Sequence, residues 1–146
     1  LAELRSLSKT LTNTNINSYT IQKLIEQEVK KVKNLKKCHV ERQLDYSISI
    51  KSNQIKTVLV RVMQEFIQNS LKHAECEIIS ISLQKIGSEI HLIIKDDGKG
   101  FDANKKIAQG IGLKNIKKRV KIVGGKYQLN SEINIGTELI IKIPQA

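Results

Sequence analysis

The sequence predicts an α+β domain in which helices cover one face of a mostly antiparallel sheet. Segments with the apolar spacing of helices are interspersed with segments in which every second residue is apolar. The last four strand-like segments also form two hairpin-like pairs around short polar turns. The order helix, strand, helix, two strands, helix, two strands therefore favours a two-layer α/β sandwich.

Three segments have the spacing of amphipathic helices, at residues 19–37, 53–73 and 112–123. The last of them stops at Gly124 and Gly125, a common signal at helix ends. Period-two alternation predicts strands at residues 44–50, 77–84, 89–96, 126–133 and 138–143. Turns at residues 87–88 and 134–137 would join the last four strands into two hairpins.

Composition indicates one globular domain with an affinity for negative charge. The chain has 146 residues, of which 40% are hydrophobic, and a formal net charge of +11. That charge suits phosphates, nucleic acid, an acidic partner or an anionic membrane face. Aromatic residues make up only 3% and Trp is absent, so the stacking platforms of single-strand recognition are scarce and direct nucleic-acid binding is not favoured. Cys38 and Cys76 lie far apart in sequence, which predicts neither a disulfide framework nor a zinc site and favours a reducing cytosol.

The N-terminal end has the features of a fragment. The chain begins at Leu1 without methionine, and residues 1–11 have the apolar spacing of a helix whose start is missing. Neither a signal peptide nor a run of about 18 apolar residues occurs, so we expect membrane contact only through upstream segments. The predicted division is a helix remnant and linker at residues 1–17, followed by one domain at residues 18–146.

Two glycine-pair turns carry the strongest functional signal. Gly98 and Gly100 follow a β-branched run, and Gly110 and Gly112 precede a helix. Glycine lets backbone amides approach a ligand closely, as in many phosphate sites. Asp97 stands at the mouth of the first turn, where we expect a buried carboxylate to select a nucleobase by its exocyclic amine. The adjacent Asp96 would then face solvent or make a structural hydrogen bond, because neighbouring strand residues point to opposite faces.

A polar stripe on the helix at 53–73 supplies further candidates. Asn69, Lys72 and His73 follow Glu65 by four, seven and eight residues, so all four side chains would project from one face of the helix. From the spacing alone, the favoured interpretation is an amphipathic helix with an ordinary solvent-facing side. Alternatively, Asn69 could ligate magnesium, Lys72 could pair with a phosphate, and Glu65 could orient or deprotonate an attacking group. Together these roles would make a phosphoryl-transfer site.

At these residues the chain resembles the GHKL ATP-binding family, which includes sensor histidine kinases and gyrase-type ATPases. Residues 64–74 resemble the N box, E-x-x-x-N-x-x-K-H-A, and residues 97–101 resemble the D-x-G-x-G-F box. Residues 110–120 resemble the G-x-G-L-x-N-I-x-x-R-V box, and residues 136–137 match the final G-T pair. The short segment between the glycine boxes is similar to that of kinases whose response regulators carry helix-turn-helix outputs.

The resemblance implies a Bergerat-type ATP-binding fold with ATP and Mg²⁺ as cofactors. It implies that Asn69 ligates magnesium, Asp97 accepts from the adenine amine, and Glu65 assists phosphoryl transfer. Other residues implied at the nucleotide are Lys72, His73, Gly98, Gly100, Gly110, Ile111, Gly112, Leu113 and Thr137.

The implied function is the ATP-binding catalytic domain of a bacterial, cytoplasmic sensor histidine kinase. Its partners would be its own dimerisation and phosphoacceptor domain, in a homodimer, and a cognate response regulator. The acceptor histidine would lie upstream of Leu1, so this chain alone should not phosphorylate itself. Two alternatives stay open: a free-standing GHKL serine kinase of the anti-sigma-factor type, and a degenerate nucleotide-fold module that only binds a partner.

Overall fold

The computed structural model describes Ile16, residues 18–100 and residues 111–144. In chain order the elements are α1 (Ile21–Leu35), β1 (His39–Leu44), α2 (Asn53–Asn69), a π-helical turn (Ser70–Ala74), β2 (Ile78–Ile86), β3 (Glu89–Asp96), α3 (Ile111–Ile122), β4 (Lys126–Glu132) and β5 (Gly136–Pro144). This order confirms the predicted alternation of helices and strands. The predicted helix at residues 1–11 lies outside the described residues.

The five strands form one mixed sheet in the order β1-β2-β3-β5-β4. Only β1 runs parallel to its neighbour, whereas the pairs β2–β3, β3–β5 and β4–β5 are antiparallel. The parallel pair is possible because α2 carries the chain back between β1 and β2, as a crossover connection requires. The sheet thus agrees with the predicted mostly antiparallel α+β fold.

Alternation along the central strands places one face of the sheet in the core. The inward side chains are fully buried at Ile79, Ile81, Leu83, Ile90, Leu92, Ile94, Leu139, Ile141 and Ile143. They belong to one hydrophobic cluster with the apolar faces of the helices, including Leu59, Val62, Met63 and Phe66 of α2. Hydroxyl side chains cap the starts of α1 and α2. Thr20 accepts from the Lys23 amide at 3.1 Å, and Ser52 accepts from the Ile55 amide at 3.2 Å.

The first strand differs from its prediction. Alternation predicted a strand at residues 44–50. Instead, β1 pairs with β2 over His39–Leu44 and ends where the predicted strand would begin. The chain then turns at Asp45, whose Oδ1 accepts from the Ser47 amide at 2.9 Å and from the Ser47 hydroxyl at 2.6 Å. Such an Asp-centred turn competes with strand pairing.

A buried side chain of α1 explains why the alternation persists without a strand. The side-chain Nε2 of Gln22 donates to the backbone carbonyls of Asp45 at 3.0 Å and Ile48 at 2.7 Å. These bonds hold Ile48 against the core, whereas Tyr46 is 70% exposed. The apolar pattern therefore reports burial beneath α1 rather than a sheet ladder.

Lys56 of α2 joins the segment before α1 to the domain. It is 5% exposed, and its Nζ donates to the carbonyls of Ile16 at 2.7 Å and Tyr19 at 3.1 Å. The backbone is helical at Ile16 and Ser18, so this ammonium group satisfies carbonyls at the end of a helical segment. In the described part of the chain no helix is both long and apolar enough to cross a bilayer.

Candidate functional site

Two adjacent carboxylates at the end of β3 point to opposite sides of the sheet. Asp96 is only 4% exposed, whereas Asp97 is exposed. The expectation of a buried Asp97 is therefore wrong. Of the two alternatives expected for Asp96, exposure to solvent is wrong, whereas a structural hydrogen bond is present. The alternation of β3 explains the reversal, because Asp96 continues the inward series of Ile90, Leu92 and Ile94.

The Asp96 carboxylate is held by two neighbours. Its Oδ2 accepts from the Ser70 hydroxyl at 2.6 Å, and its Oδ1 accepts from the Gly98 amide at 3.0 Å. Ser70 is itself buried, at the start of the π-helical turn after α2. The carboxylate is thus fixed between the end of β3, the first glycine turn and the end of α2.

Asp97 has a structural role instead. Its Oδ1 accepts from the backbone amides of Ile78, at 2.9 Å, and Glu77, at 2.8 Å. These two bonds, the one from Ile78 first, lower the pKa of the Asp97 carboxyl below its ordinary value. The side chain therefore fastens the end of β3 to the start of β2 on the outer side.

Sheet register places Thr137 beside Asp96. Asp96 lies opposite Ile79 on β2 and opposite Thr137 on β5. Opposed residues share a face, and Thr137 is buried there, with its hydroxyl 2.8 Å from that of Ser131. Gly136 makes this close approach possible: at φ 137°, a Cβ on it would overlap the Asp96 carbonyl.

The first glycine turn is packed against protein. Gly100 has φ 64°, and a Cβ on it would overlap the carbonyl of Glu132, at the end of β4. Beside it, the Lys99 carbonyl accepts from the Asn134 amide at 2.6 Å. Gly100 is thus required by contact with the β4–β5 hairpin, a reason that sequence analysis did not anticipate. Gly98 is buried and binds Asp96 through its amide.

The polar stripe of α2 is divided by a change of helix type. Glu65 and Asn69 are half-buried one turn apart on α2, but Lys72 is exposed in the π-helical turn, where the wider repeat breaks the regular spacing. Lys72 and Asn69 therefore do not keep the angular relation that the spacing predicted. Only the backbone of His73 is described.

Glu65 lies in a groove between α2 and α3. The groove has a volume of about 220 Å³ and is lined by Arg61, Gln64, Glu65, Gln68, Asn115, Ile116 and Arg119. Two guanidinium groups thus share this space with the carboxylate. The groove gives Glu65 an environment of its own, because Asn69 does not line it.

Gly112, from the second glycine pair, lies in α3. Within the described residues this helix begins at Ile111, so Ile111, Gly112 and Leu113 form its first described turn. The structure describes only the backbone of these three residues, and Gly110 lies outside the described residues. Of the predicted glycine pair, the structure therefore describes Gly112 alone, in the first described turn of α3.

Asn69 is the candidate magnesium ligand among the described residues. Across the described ranges, no three His, Cys, Asp or Glu side chains gather where they could hold a metal. Asn69 is half-buried and forms no hydrogen bond through its carboxamide to any other described residue. Its oxygen therefore fits the role of one ligand in a shell completed by phosphate oxygens and water.

Sequence reasoning missed Asp96 as a base acceptor, although the sequence signal for it was present, and it did not single out Ser70. Counting inward positions along β3 from Ile90 leads to Asp96. The D-x-G-x-G spacing also begins at Asp96 when Gly98 and Gly100 are its two glycines. Ser70 could not have been found in this way, because its burial depends on the turn after α2.

Comparison with known proteins adds a family match. The profile of the family described as "Histidine kinase-, DNA gyrase B-, and HSP90-like ATPase" matches residues 54–146. That range begins in α2 and includes both glycine turns, Asp96 and Thr137.

Two curated relatives are sensor kinases. The chain is 38% identical over 94 residues to the "Signal transduction histidine-protein kinase/phosphatase DegS" of Bacillus subtilis (strain 168), covering 62% of this chain and 24% of the relative. It is 29% identical over 143 residues to the "Oxygen sensor histidine kinase NreB" of Staphylococcus carnosus (strain TM300), covering 97% of this chain and 41% of the relative. The chain therefore spans well under half the length of both relatives.

Solved structures share the fold. The blue-light activated histidine kinase of Erythrobacter litoralis EL346 superposes with a TM-score of 0.76 at 15% identity, over 98% of this chain and 49% of that one. The histidine kinase AdeS of Acinetobacter baumannii superposes with a TM-score of 0.71 at 17% identity, over 99% of this chain and 81% of that one. At such low identity the likeness supports the fold alone.

Proposed function

The chain belongs to the histidine kinase-, DNA gyrase B- and HSP90-like ATPase family, and from this premise we propose that it is the ATP-binding catalytic domain of a sensor histidine kinase. It would transfer the γ-phosphoryl group of ATP to a histidine outside this chain. The names of the two curated relatives support the kinase over a free-standing serine kinase or a module that only binds a partner.

The observation that carries the proposal is the fixed, buried carboxylate of Asp96. Each of its oxygens accepts one hydrogen bond from the described residues, and a carboxylate can accept about four, so these bonds leave capacity for a ligand donor. The exocyclic amine of adenine is such a donor, whereas guanine presents a carbonyl at the same position. We therefore transfer the proposed role of base recognition from Asp97 to Asp96, with Thr137 beside it.

The phosphate end of the site would be built from α3 and the end of α2. The backbone amides of Ile111, Gly112 and Leu113 would hold phosphate oxygens, because a helix start favours negative charge. The exposed Lys72 would approach the same phosphates, and we keep His73 and Gly110 as candidate neighbours. Magnesium held by Asn69 would neutralise phosphate charge when bound.

Glu65 is the proposed group that assists transfer. As a half-buried carboxylate in the groove with Arg61 and Arg119, it would accept the proton of an attacking imidazole or orient that ring. The groove lies between α2 and α3, the two helices that also contribute Asn69 and the proposed phosphate cradle. An acceptor segment entering beside this groove would thus approach the γ-phosphate.

The acceptor histidine would belong to a dimerisation domain of the same polypeptide, and a cognate response regulator would take the phosphoryl group onward. His91 is unsuited as acceptor, because it is half-buried on β3, with its Nε2 3.5 Å from Glu89. A cytoplasmic position, with any membrane attachment through segments outside residues 1–146, completes the proposal.

Calorimetric titration of the chain with ATP and GTP, with and without magnesium, tests the nucleotide part. We expect ATP binding that magnesium strengthens and GTP binding at least tenfold weaker. Equal affinity for both nucleotides, or no heat at millimolar ATP, would contradict it. For the transfer step, the full-length kinase incubated with ATP should acquire acid-labile phosphate, and its Glu65→Gln variant should acquire it much more slowly while binding ATP normally.

A further inference from the structure

The two cysteines, distant in sequence, lie in contact in the fold. The Sγ atoms of Cys38 and Cys76 are 2.7 Å apart, and the Cys38 thiol also donates to the Cys76 carbonyl at 2.9 Å. Both are free thiols in this structure. From these contacts we propose that Cys38 and Cys76 form a reversible regulatory disulfide, a modification site that adjusts the nucleotide site through Ser70.

The sheet itself brings the two sulfurs together. Cys38 immediately precedes β1 and Cys76 lies just before β2, two neighbouring parallel strands. His39 pairs with Ile78 in register, and the His39 amide donates to the Glu77 carbonyl at 2.8 Å. Because the backbone on both sides is fixed by the sheet, the thiols meet without a rearrangement of either strand.

The environments of the two sulfurs give them different chemical roles. Cys76 is 7% exposed, and burial, followed by the hydrogen bond with Cys38, raises the pKa of its thiol to about 12. Cys38 is only half-buried and is therefore the sulfur that a dissolved oxidant reaches first. Cys76 would act second, as the resolving thiol.

The reaction with a peroxide balances in two steps. The Cys38 thiolate attacks one peroxide oxygen, breaking the O–O bond and forming a sulfenic acid, while the released hydroxide takes up a proton. The Cys76 sulfur then attacks Cys38, forming the S–S bond and expelling the sulfenic oxygen as water with the Cys76 proton. Overall, two thiols and one hydrogen peroxide give one disulfide and two waters, and a dithiol reductant reverses it.

A chain of contacts leads from the disulfide to the proposed base site. The Cys76 Sγ lies 3.8 Å from the Ser70 carbonyl, and the Ser70 hydroxyl holds Asp96 at 2.6 Å. Oxidation removes both S–H donors, so the carbonyls of Cys76 and Ser70 each lose a partner. Since Ser70 orients the carboxylate, we expect ATP affinity to fall about two- to fivefold, the scale of one modest hydrogen bond.

The test uses the 146-residue chain, which contains only these two cysteines. Reduced and peroxide-treated samples are unfolded, alkylated and weighed by mass spectrometry, and ATP affinity is measured on both folded samples. We expect the oxidised monomer to lose both alkylatable thiols and to recover them with dithiothreitol. Cys38→Ser keeps a hydroxyl donor and should show no oxidant-dependent change in ATP affinity, and Cys76→Ser provides the second control.

Several outcomes would overturn the proposal. Two alkylatable thiols in folded protein after treatment with excess peroxide would exclude the pair, as would disulfides found only between chains. A disulfide with unchanged ATP affinity would exclude the coupling. The coupling rests on the proposed function, but the thiol count does not: a reduced chain that fails to bind ATP would refute the nucleotide site while the mass still decides whether the sulfurs pair.

Discussion

The variants Asp96→Asn and Asp97→Asn test which of the two carboxylates recognises the base and which supports the fold. Asp96→Asn alters a buried group that accepts from Ser70 and Gly98 at 2.6 and 3.0 Å. Bonds to a charged acceptor contribute about 1.5–3 kcal/mol and neutral ones about 0.5–1.5 kcal/mol. The substitution should therefore lower the free energy of unfolding by ~1–3 kcal/mol.

The same arithmetic applies to the ligand. If the adenine amine donates to Asp96, losing that charged bond should weaken ATP binding by about 1.5–3 kcal/mol, or roughly ten- to more than a hundredfold. Asp97→Asn is the matched control, because its side chain is exposed and accepts from the amides of Ile78 and Glu77 on the outer side of the sheet. Its ATP affinity should stay within about twofold of the parent, given that surface substitutions have small effects.

Isothermal titration with ATP measures both variants, and chemical unfolding measures their stability. GTP serves as a second probe, since an amide at position 96 no longer disfavours the guanine carbonyl. The discrimination between ATP and GTP should therefore shrink in Asp96→Asn alone. If Asp97→Asn weakened ATP binding more than Asp96→Asn in two folded variants, the assignment of the base acceptor would be wrong.

Three further predictions follow from the contacts. Gly136→Ala should destabilise the fold by about 2 kcal/mol or more and weaken ATP binding, because the added Cβ would overlap the Asp96 carbonyl. Gly87→Ala is the control: with φ 61° and no atom within 4 Å of the added Cβ, it should cost only the ~1–2 kcal/mol of left-handed strain. Thermal unfolding compares the stability of the two variants. Asn69→Ala should remove most of the magnesium dependence of ATP binding in titrations with and without the metal, and an unchanged dependence would exclude Asn69 as ligand. Because the pKa of Asp97 is lowered in the folded state, its carboxylate stabilises the fold at pH values above the ordinary pKa near 3.9, and this stability is lost as the pH falls through the folded pKa. Below about pH 4, the free energy of unfolding should therefore fall less steeply with decreasing pH in Asp97→Asn than in the parent.

The sequence predicted the parts of the fold that depend on local periodicity. β3 was predicted with its observed bounds, Glu89–Asp96, because its alternation is uninterrupted and its hairpin turn is short. The start of α2 at Asn53 followed from the same reasoning. Such elements need no knowledge of what packs against them.

Features that depend on distant contacts were not predictable in this way. The strand at residues 44–50 was misplaced because Gln22, far away in sequence, buries that segment without pairing it. The turn after α2 becomes π-helical where Ser70 is buried against Asp96, and local propensity does not reveal that contact. The meeting of Cys38 and Cys76 likewise requires β1 and β2 to be neighbours, which alternation alone cannot establish.

The strand order has a consequence for how this architecture can diversify. β3 and β5 are adjacent in the sheet, with Asp96 opposite Thr137, although α3 and β4 separate them along the chain. Hydrogen bonds of the ladder, rather than the intervening polypeptide, hold these two positions in register. Natural variation could therefore lengthen, shorten or rebuild the segment between the two strands while the relative position of Asp96 and Thr137 stays unchanged.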